Sequence, residues 1–211
     1  MATFGESITR VSKRLLDANN TSVSQQDVAA SLNEAISYWK FTRFWFNEST
    51  FTGNMTEDDA TLPTASDFLI PAYDDGAFII NYSEQRYPLS KIKQIQYDAM
   101  FMDNGKGQPR YYARAGQSYE AYPIPDRDYT CISRYLKDYE EIAAENYNAV
   151  NDFITHASRL ILLWSCANIV AELRQDDKME SYFRNAATNE SQNLLKRTKK
   201  ENSTGTLTTY M

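Results

Sequence analysis

The sequence predicts an α+β fold: a helical bundle made from both chain ends, a small antiparallel β-rich domain inserted between them, and an extended C-terminal tail. Three observations carry that prediction. Apolar residues recur at helical spacing before residue 60 and again after Tyr147. From 62 to 139 the period shortens to two, punctuated by Pro71, Asp74-Asp75-Gly76 and Pro88. Residues 201–211 hold four threonines, a serine and a glycine and offer little to bury. The segments are read as bundle over 1–60, inserted domain over 61–139, bundle again over 140–200 and flexible tail over 201–211.

The first helix is expected over 8–16, with Ile8, Val11 and Leu15 on one stripe and Arg10, Lys13 and Arg14 outside it, ending at Asn19-Asn20-Thr21. Ser24 followed by Asp27 has the form of a capping box, with aspartate standing where glutamate is usual. It opens a second helix whose stripe is Val28, Leu32, Ala35, Ile36 and Trp39, continuing toward Phe46. Residues 53–60, with Glu57-Asp58-Asp59, read as an exposed loop.

In the inserted domain, strands are expected at Phe68-Leu69-Ile70, at 78–82, and around Tyr87 and Leu89. A hairpin follows, with arms 110–114 and 118–122 joined through Ala115-Gly116-Gln117. One more strand runs over 129–136. Residues 89–102 read as a short helix lying on the sheet. After Tyr147 a wide stripe, Phe153, Ala157, Leu160, Leu163, Trp164, Ala167, Val170 and Leu173, marks a central bundle helix. Past Gln175-Asp176-Asp177 the stripe narrows to Met179, Phe183, Ala187 and Leu194.

The most unusual stretch is Trp39, Phe41, Phe44, Trp45 and Phe46: five aromatic residues in eight positions. A helix with 3.6 residues per turn cannot hide all of them on one face. They therefore belong to an interface, either between layers of the bundle or with a neighbouring subunit.

Fifteen tyrosines against one histidine is the second oddity in a 211-residue chain of net charge -6. Tyrosine joins apolar area to a hydroxyl that needs a partner, so it suits partly wet interfaces and equally a core with bridged hydroxyls. The hairpin tyrosines Tyr111, Tyr119, Tyr122 and Tyr129 are candidates for contact with another protein or a neighbouring copy. The acidic balance argues against nucleic-acid binding through simple surface positivity.

Catalytic and metal chemistry lack the residues they need. His156 is the only histidine, and the residues around it do not make up the ligand set of a metal site. Cys131 and Cys166 read as buried thiols, unpaired. Gly105-Lys106-Gly107-Gln108 lacks the spacing of a phosphate-binding loop. The carboxylate pairs Asp58-Asp59 and Glu140-Glu141 sit in polar stretches where burial would not raise their pKa. No cofactor, metal site or enzyme activity is expected. No apolar run reaches membrane-spanning length, and the polar N-terminus lacks the apolar core of a secretory signal.

Basic residues cluster twice, at Arg10, Lys13 and Arg14 and at Lys196, Arg197, Lys199 and Lys200. A helix C-terminus favours the second cluster on its own. An acidic partner, or a path for DNA, is the functional reading of such patches.

The order of features resembles the head-to-tail adaptor, or neck, proteins of tailed phages, of the short-tailed type. The resemblance runs through Asp27-Val28-Ala29-Ala30-Ser31-Leu32-Asn33-Glu34-Ala35 into Phe44-Trp45-Phe46-Asn47-Glu48, then Leu62-Pro63-Thr64-Ala65-Ser66-Asp67-Phe68 and Tyr87-Pro88-Leu89. It continues in Pro109-Arg110-Tyr111-Tyr112, Tyr119-Glu120-Ala121-Tyr122-Pro123-Ile124-Pro125, Arg134-Tyr135-Leu136 and the helix holding Ala157 and Leu173. It implies a structural protein of the virion neck, made in the host cytoplasm, that forms a ring, commonly of twelve copies, beneath the portal. Such a ring prolongs the channel for genomic DNA without reading its sequence. It also presents a far face to nozzle, tail-tube or fibre proteins. In relatives the C-terminal segment packs against the portal. That makes Lys196, Arg197, Lys199 and Lys200, with the hydrophobic tip Leu207, Tyr210 and Met211, the candidates for portal docking. A different virion or particle subunit, or a soluble protein-binding module without a ring, is the alternative.

Overall fold

The computed structural model describes residues 2–16, 23–102 and 105–203. The chain divides into two compact units: Met1–Asn47 with Tyr139–Met211, and Glu48–Asp138. Helices from both chain ends thus flank a central, mainly antiparallel β-rich unit.

In the helical unit, α1 (Phe4–Leu16) buries Phe4, Ile8, Val11 and Leu15, a stripe at three- and four-residue steps. The expected end of this helix at Asn19-Asn20-Thr21 lies outside the described residues. The second helix, α2 (Gln25–Trp39), starts on the capping box: Asp27 N–H donates to Ser24 Oγ at 3.1 Å, and Ser24 N–H to the Asp27 carboxylate at 3.3 Å. It does not continue to Phe46; it stops at Trp39.

The expected single helix over 153–173 is broken. A short α4 (Asp152–His156), capped by the Asn151 side chain, ends at Ala157, where the backbone leaves helical geometry. From there α5 (Ser158–Ile169) begins, and it runs into a π turn over Val170–Arg174. Gln175 closes that turn in the left-handed region, φ 51°, and Asp176 accepts the amides of Lys178 and Met179 to start α6 (Asp177–Ser203). Because α6 reaches Ser203, residues 201–203 are helical and not tail. The remainder of the expected tail, 204–211, lies outside the described residues.

The close approach of α2 and α5 rests on two small residues. Ser31 and Ser165, both buried, each donate a hydroxyl to the other's carbonyl at 3.1 Å. Around them Leu32, Ile36, Phe44, Phe153, Leu160 and Ile161 form one apolar core, with Phe183, Ala187 and Leu194 of α6 joining it.

In the β-rich unit, β10 (Tyr129–Lys137) is the central strand. On one side it pairs antiparallel with β1 (Glu48–Met55) over the full length of that strand. On the other it pairs with β2 (Phe68–Pro71) and β3 (Phe78–Tyr82), and β4 (Gln85–Pro88) extends the sheet from β3. A second, three-stranded sheet holds β5 (Ser90–Lys91), β7 (Tyr111–Ala115) and β8 (Ser118–Tyr122), and β6 (Lys106–Gly107) pairs with β9 (Ile124–Pro125). The β5–β7 and β6–β9 pairs are parallel, departing from the antiparallel rule of the rest. One helix, α3 (Gln94–Phe101), lies in this unit, shorter than the expected 89–102.

Strand β1 went unread in the sequence. It occupies 48–55, where an aromatic run gives way to a loop-like acidic stretch; the alternating Ser49-Thr50-Phe51-Thr52 carries β propensity that its neighbours obscure. The β-rich unit consequently begins at Glu48 and not at 61.

Candidate interaction surfaces

Where α2 ends, residues 40–47 fold into a tight turn around one buried amide. Asn47, with no exposed area, accepts from Phe44 N–H at 2.9 Å and donates to the carbonyls of Thr42 at 2.9 Å and Lys40 at 3.3 Å. Leaving the helix lets the five aromatic side chains project in different directions, which one helical face could not do. Phe44 and Phe46 go inward, stacked at 5.2 Å and edge-on to Phe153. Trp39 is half-buried, set edge-on to Trp164 at 5.2 Å, with its indole N–H sealed from solvent and unpartnered. Phe41 points outward, 55% exposed, with the Lys40 ammonium 5.7 Å from its ring centre.

Trp45 packs on α6. The Arg197 guanidinium sits 4.3 Å from its ring centre, and its backbone N–H donates to Thr198 Oγ1 at 3.2 Å. His156, exposed, lies edge-on to Trp45 at 6.0 Å and stacked beside Phe46 at 5.6 Å. The aromatic run and the C-terminal basic cluster, separate in sequence, thus form one seam. Lys196, Arg197, Lys199 and Lys200 are all exposed on the last turns of α6, and Arg197 also faces Glu201 at 3.8 Å. Leu207, Tyr210 and Met211 lie outside the described residues.

The hairpin tyrosines of the β-rich unit separate by face. Tyr111 and Tyr122 are directly opposed across β7 and β8, and both remain partly exposed. Tyr119 and Tyr129 are buried, which corrects their reading as contact residues. Tyr119 points to the core against Phe68 and Phe78, each at 5.6 Å, because its strand position alternates with Tyr122 by an odd step. Tyr129 hydrogen-bonds Asp126 Oδ1 at 2.5 Å, and burial together with that bond pushes its hydroxyl pKa up to about 12. Other tyrosine hydroxyls are likewise satisfied internally. Tyr97 donates to Glu120 at 2.9 Å, Tyr112 to the Asp74 carbonyl at 2.6 Å, and Tyr135 to Asp67 at 2.7 Å. The hydroxyls that suggested wet interfaces in the sequence largely serve this core.

Two further surfaces had weaker signals. Tyr38, 57% exposed, stacks on Trp164 at 4.3 Å while Arg184 lies 4.4 Å from the Trp164 ring centre. In the sequence Trp164 joined the buried stripe, and nothing marked Tyr38 as its partner. Elsewhere in the helical unit, Arg10 and Arg14 of α1 and Arg159 of α5 converge on a cleft of about 360 Å³ that Ser7, Ser158 and Leu162 complete. The α1 pair stood out in the sequence; Arg159, isolated among apolar residues, did not.

Among the described residues no group of three or more His, Cys, Asp or Glu is placed to hold a metal ion. Both cysteines are buried and neither forms a disulfide, and burial pushes the Cys131 thiol up to about 12, leaving no thiolate at neutral pH. Among the described residues no helix is long and apolar enough to cross a membrane.

A family model described as SU10 adaptor protein matches residues 2–209 of this chain. No curated protein matches it.

Proposed function

The chain belongs to the SU10 adaptor protein family and is a structural head-to-tail adaptor rather than an enzyme, and from that premise we propose that it forms a ring beneath the phage portal. In this reading the ring, twelve-fold in keeping with the portal, prolongs the channel for genomic DNA and offers its far face to nozzle, tail-tube or fibre proteins. The protein then resides in the virion neck. The near-complete match over 2–209 carries the proposal.

The surfaces support a division of labour. A ring subunit needs two unlike faces that meet by rotation. The helical unit supplies an exposed basic end on α6, followed in sequence by the hydrophobic residues Leu207, Tyr210 and Met211. Together these dock on the portal. Tyr111 and Tyr122 supply a ring-bearing patch for a tail protein, an arrangement tyrosine favours at low entropic cost. Phe41, the outward member of the aromatic turn, belongs to a subunit contact.

Co-sedimentation with portal rings tests the docking face. Deleting residues 205–211 should leave the melting transition of the protein in place and weaken its retention on portal. Retention equal to wild type would contradict the proposed docking.

A further inference from the structure

We propose that the arginine cleft on the helical unit receives carboxylates of a neighbouring copy, and that Glu140, Glu141 and Glu145 supply them. The proposal rests on the ring reading and names the surfaces through which adjacent subunits would meet.

The cleft is cationic on one side of an acidic chain. Arg10 and Arg14 stand one turn apart on α1, and Arg159 reaches the same space from the first turn of α5. Their own partners leave them available. Arg10 meets Glu6 only at 4.0 Å, Arg159 meets Glu190 at 3.7 Å, and Arg14 makes no ion pair among the described residues. Ser158 adds a hydroxyl at the rim. Guanidinium groups bind carboxylates through two parallel hydrogen bonds, so three around one cleft set both attraction and orientation.

The complement lies in the same unit. Glu140, Glu141 and Glu145 are exposed, in a segment without regular secondary structure, and make no ion pair among the described residues. The segment is nevertheless held in place. Asn33 on α2 grips Ile142 twice, donating to its carbonyl at 2.9 Å and accepting its N–H at 3.1 Å, and Tyr139 packs edge-on to Phe153 at 5.1 Å. An anchored acidic ledge and a cationic cleft on one compact unit make a pair of unlike, complementary surfaces, as a closed ring requires. Duplex DNA is the less suitable occupant. The chain carries a net charge of -6, which repels a polyanion, and a recessed cleft of about 360 Å³ has room for a few side chains and none for a duplex.

Charge exchange tests the pairing. Arg14→Glu with Arg159→Glu, and separately Glu140→Arg with Glu141→Arg, should each raise the concentration for half-assembly by on the order of tenfold or more, read by light scattering alone and on portal rings. The four changes combined restore opposite charges across the contact and should recover assembly. In parallel, Arg14→Cys with Glu141→Cys should give chain-to-chain disulfide ladders under mild oxidation. Circular dichroism confirms that each variant is folded. Assembly of both charge-reversed variants at wild-type concentrations would overturn the pairing while leaving the ring intact, as would absence of the disulfide ladder or of rescue in a folded four-fold variant. Loss of retention on labelled duplex DNA by the arginine variant, with assembly unchanged, would reassign the cleft to phosphate. A wild-type chain that associates neither with itself nor with portal would contradict the ring and the pairing together.

Discussion

The guanidinium of Arg197 lies over the indole of Trp45, 4.3 Å from the ring centre, and the next residue, Thr198, accepts the Trp45 backbone N–H. That contact ties the turn after α2 to the last turns of α6. Any load placed on the basic end of α6 by a docked partner is therefore felt directly at residues 44–46. Replacing Arg197, an exposed residue, with alanine should lower stability by about 0.5–1 kcal/mol through loss of the cation–π contact. Trp45→Ala should cost about 3 kcal/mol or more, since the half-buried indole also packs on Phe46. Urea denaturation of the two variants checks the ranking.

Asn47 is the residue on which the aromatic turn depends. Its side-chain amide bridges the Phe44 N–H and the carbonyls of Lys40 and Thr42, and it has no exposed area. Asn47→Ala should destabilise by about 2–4 kcal/mol, because three backbone groups lose a partner at once. Near-ultraviolet circular dichroism should change too, as Phe44 and Trp45 lose their fixed setting. An unaltered melt would show that the turn is held by packing alone.

The β3–β4 hairpin carries a correctable strain. Ser83 and Glu84 form its two-residue turn, both at positive φ, 49° and 64°. Paired positive φ values suit Asn-Gly far better than Ser-Glu. Ser83→Asn with Glu84→Gly should raise stability by about 1 kcal/mol, with no change in the sheet. The Gly116-Gln117 turn needs no such change, since only its first residue has positive φ, 63°, and that residue is already glycine.

Alkaline pH should weaken the β-rich unit. The Cys131 thiol ionises near 9 when unfolded and is pushed up to about 12 by burial in the fold. The unfolded state therefore loses its proton first. The stability this group contributes is complete below pH 9 and falls by about 1.4 kcal/mol per pH unit as pH rises toward 12. Tyrosines held neutral by burial, Tyr129 among them, add to the fall above pH 10. Cys131→Ala should make the decline between pH 9 and 10 shallower. An identical slope in wild type and variant would remove Cys131 as a cause.

Much of the architecture was legible because periodicity reports burial directly. Ile8, Val11 and Leu15, the Ser24 cap, the arms of the Gly116 hairpin and the strand at 129–136 all follow from spacing and turn chemistry. What escaped depended on long-range pairing. Strand β1 exists because β10 offers it a full antiparallel edge, and Asn47 ends the helical run by hydrogen bonds that no propensity announces. The break at Ala157 was hidden because the apolar stripe continues across it. For the surfaces, clustered charge was visible at Arg10 and Arg14, while the third member, Arg159, is added only by the packing of α5 on α1. Tyrosine count could not separate Tyr111 and Tyr122 from Tyr119 and Tyr129; strand alternation in the folded hairpin does.

Electron cryomicroscopy of this chain mixed with its portal rings tests the central claim most directly. The adaptor reading predicts a closed ring of adaptor density coaxial with the portal, each subunit with its α6 end toward the portal and an open channel along the axis. Portal rings without added density, beside a chain that stays monomeric at concentrations saturating for binding, would contradict it.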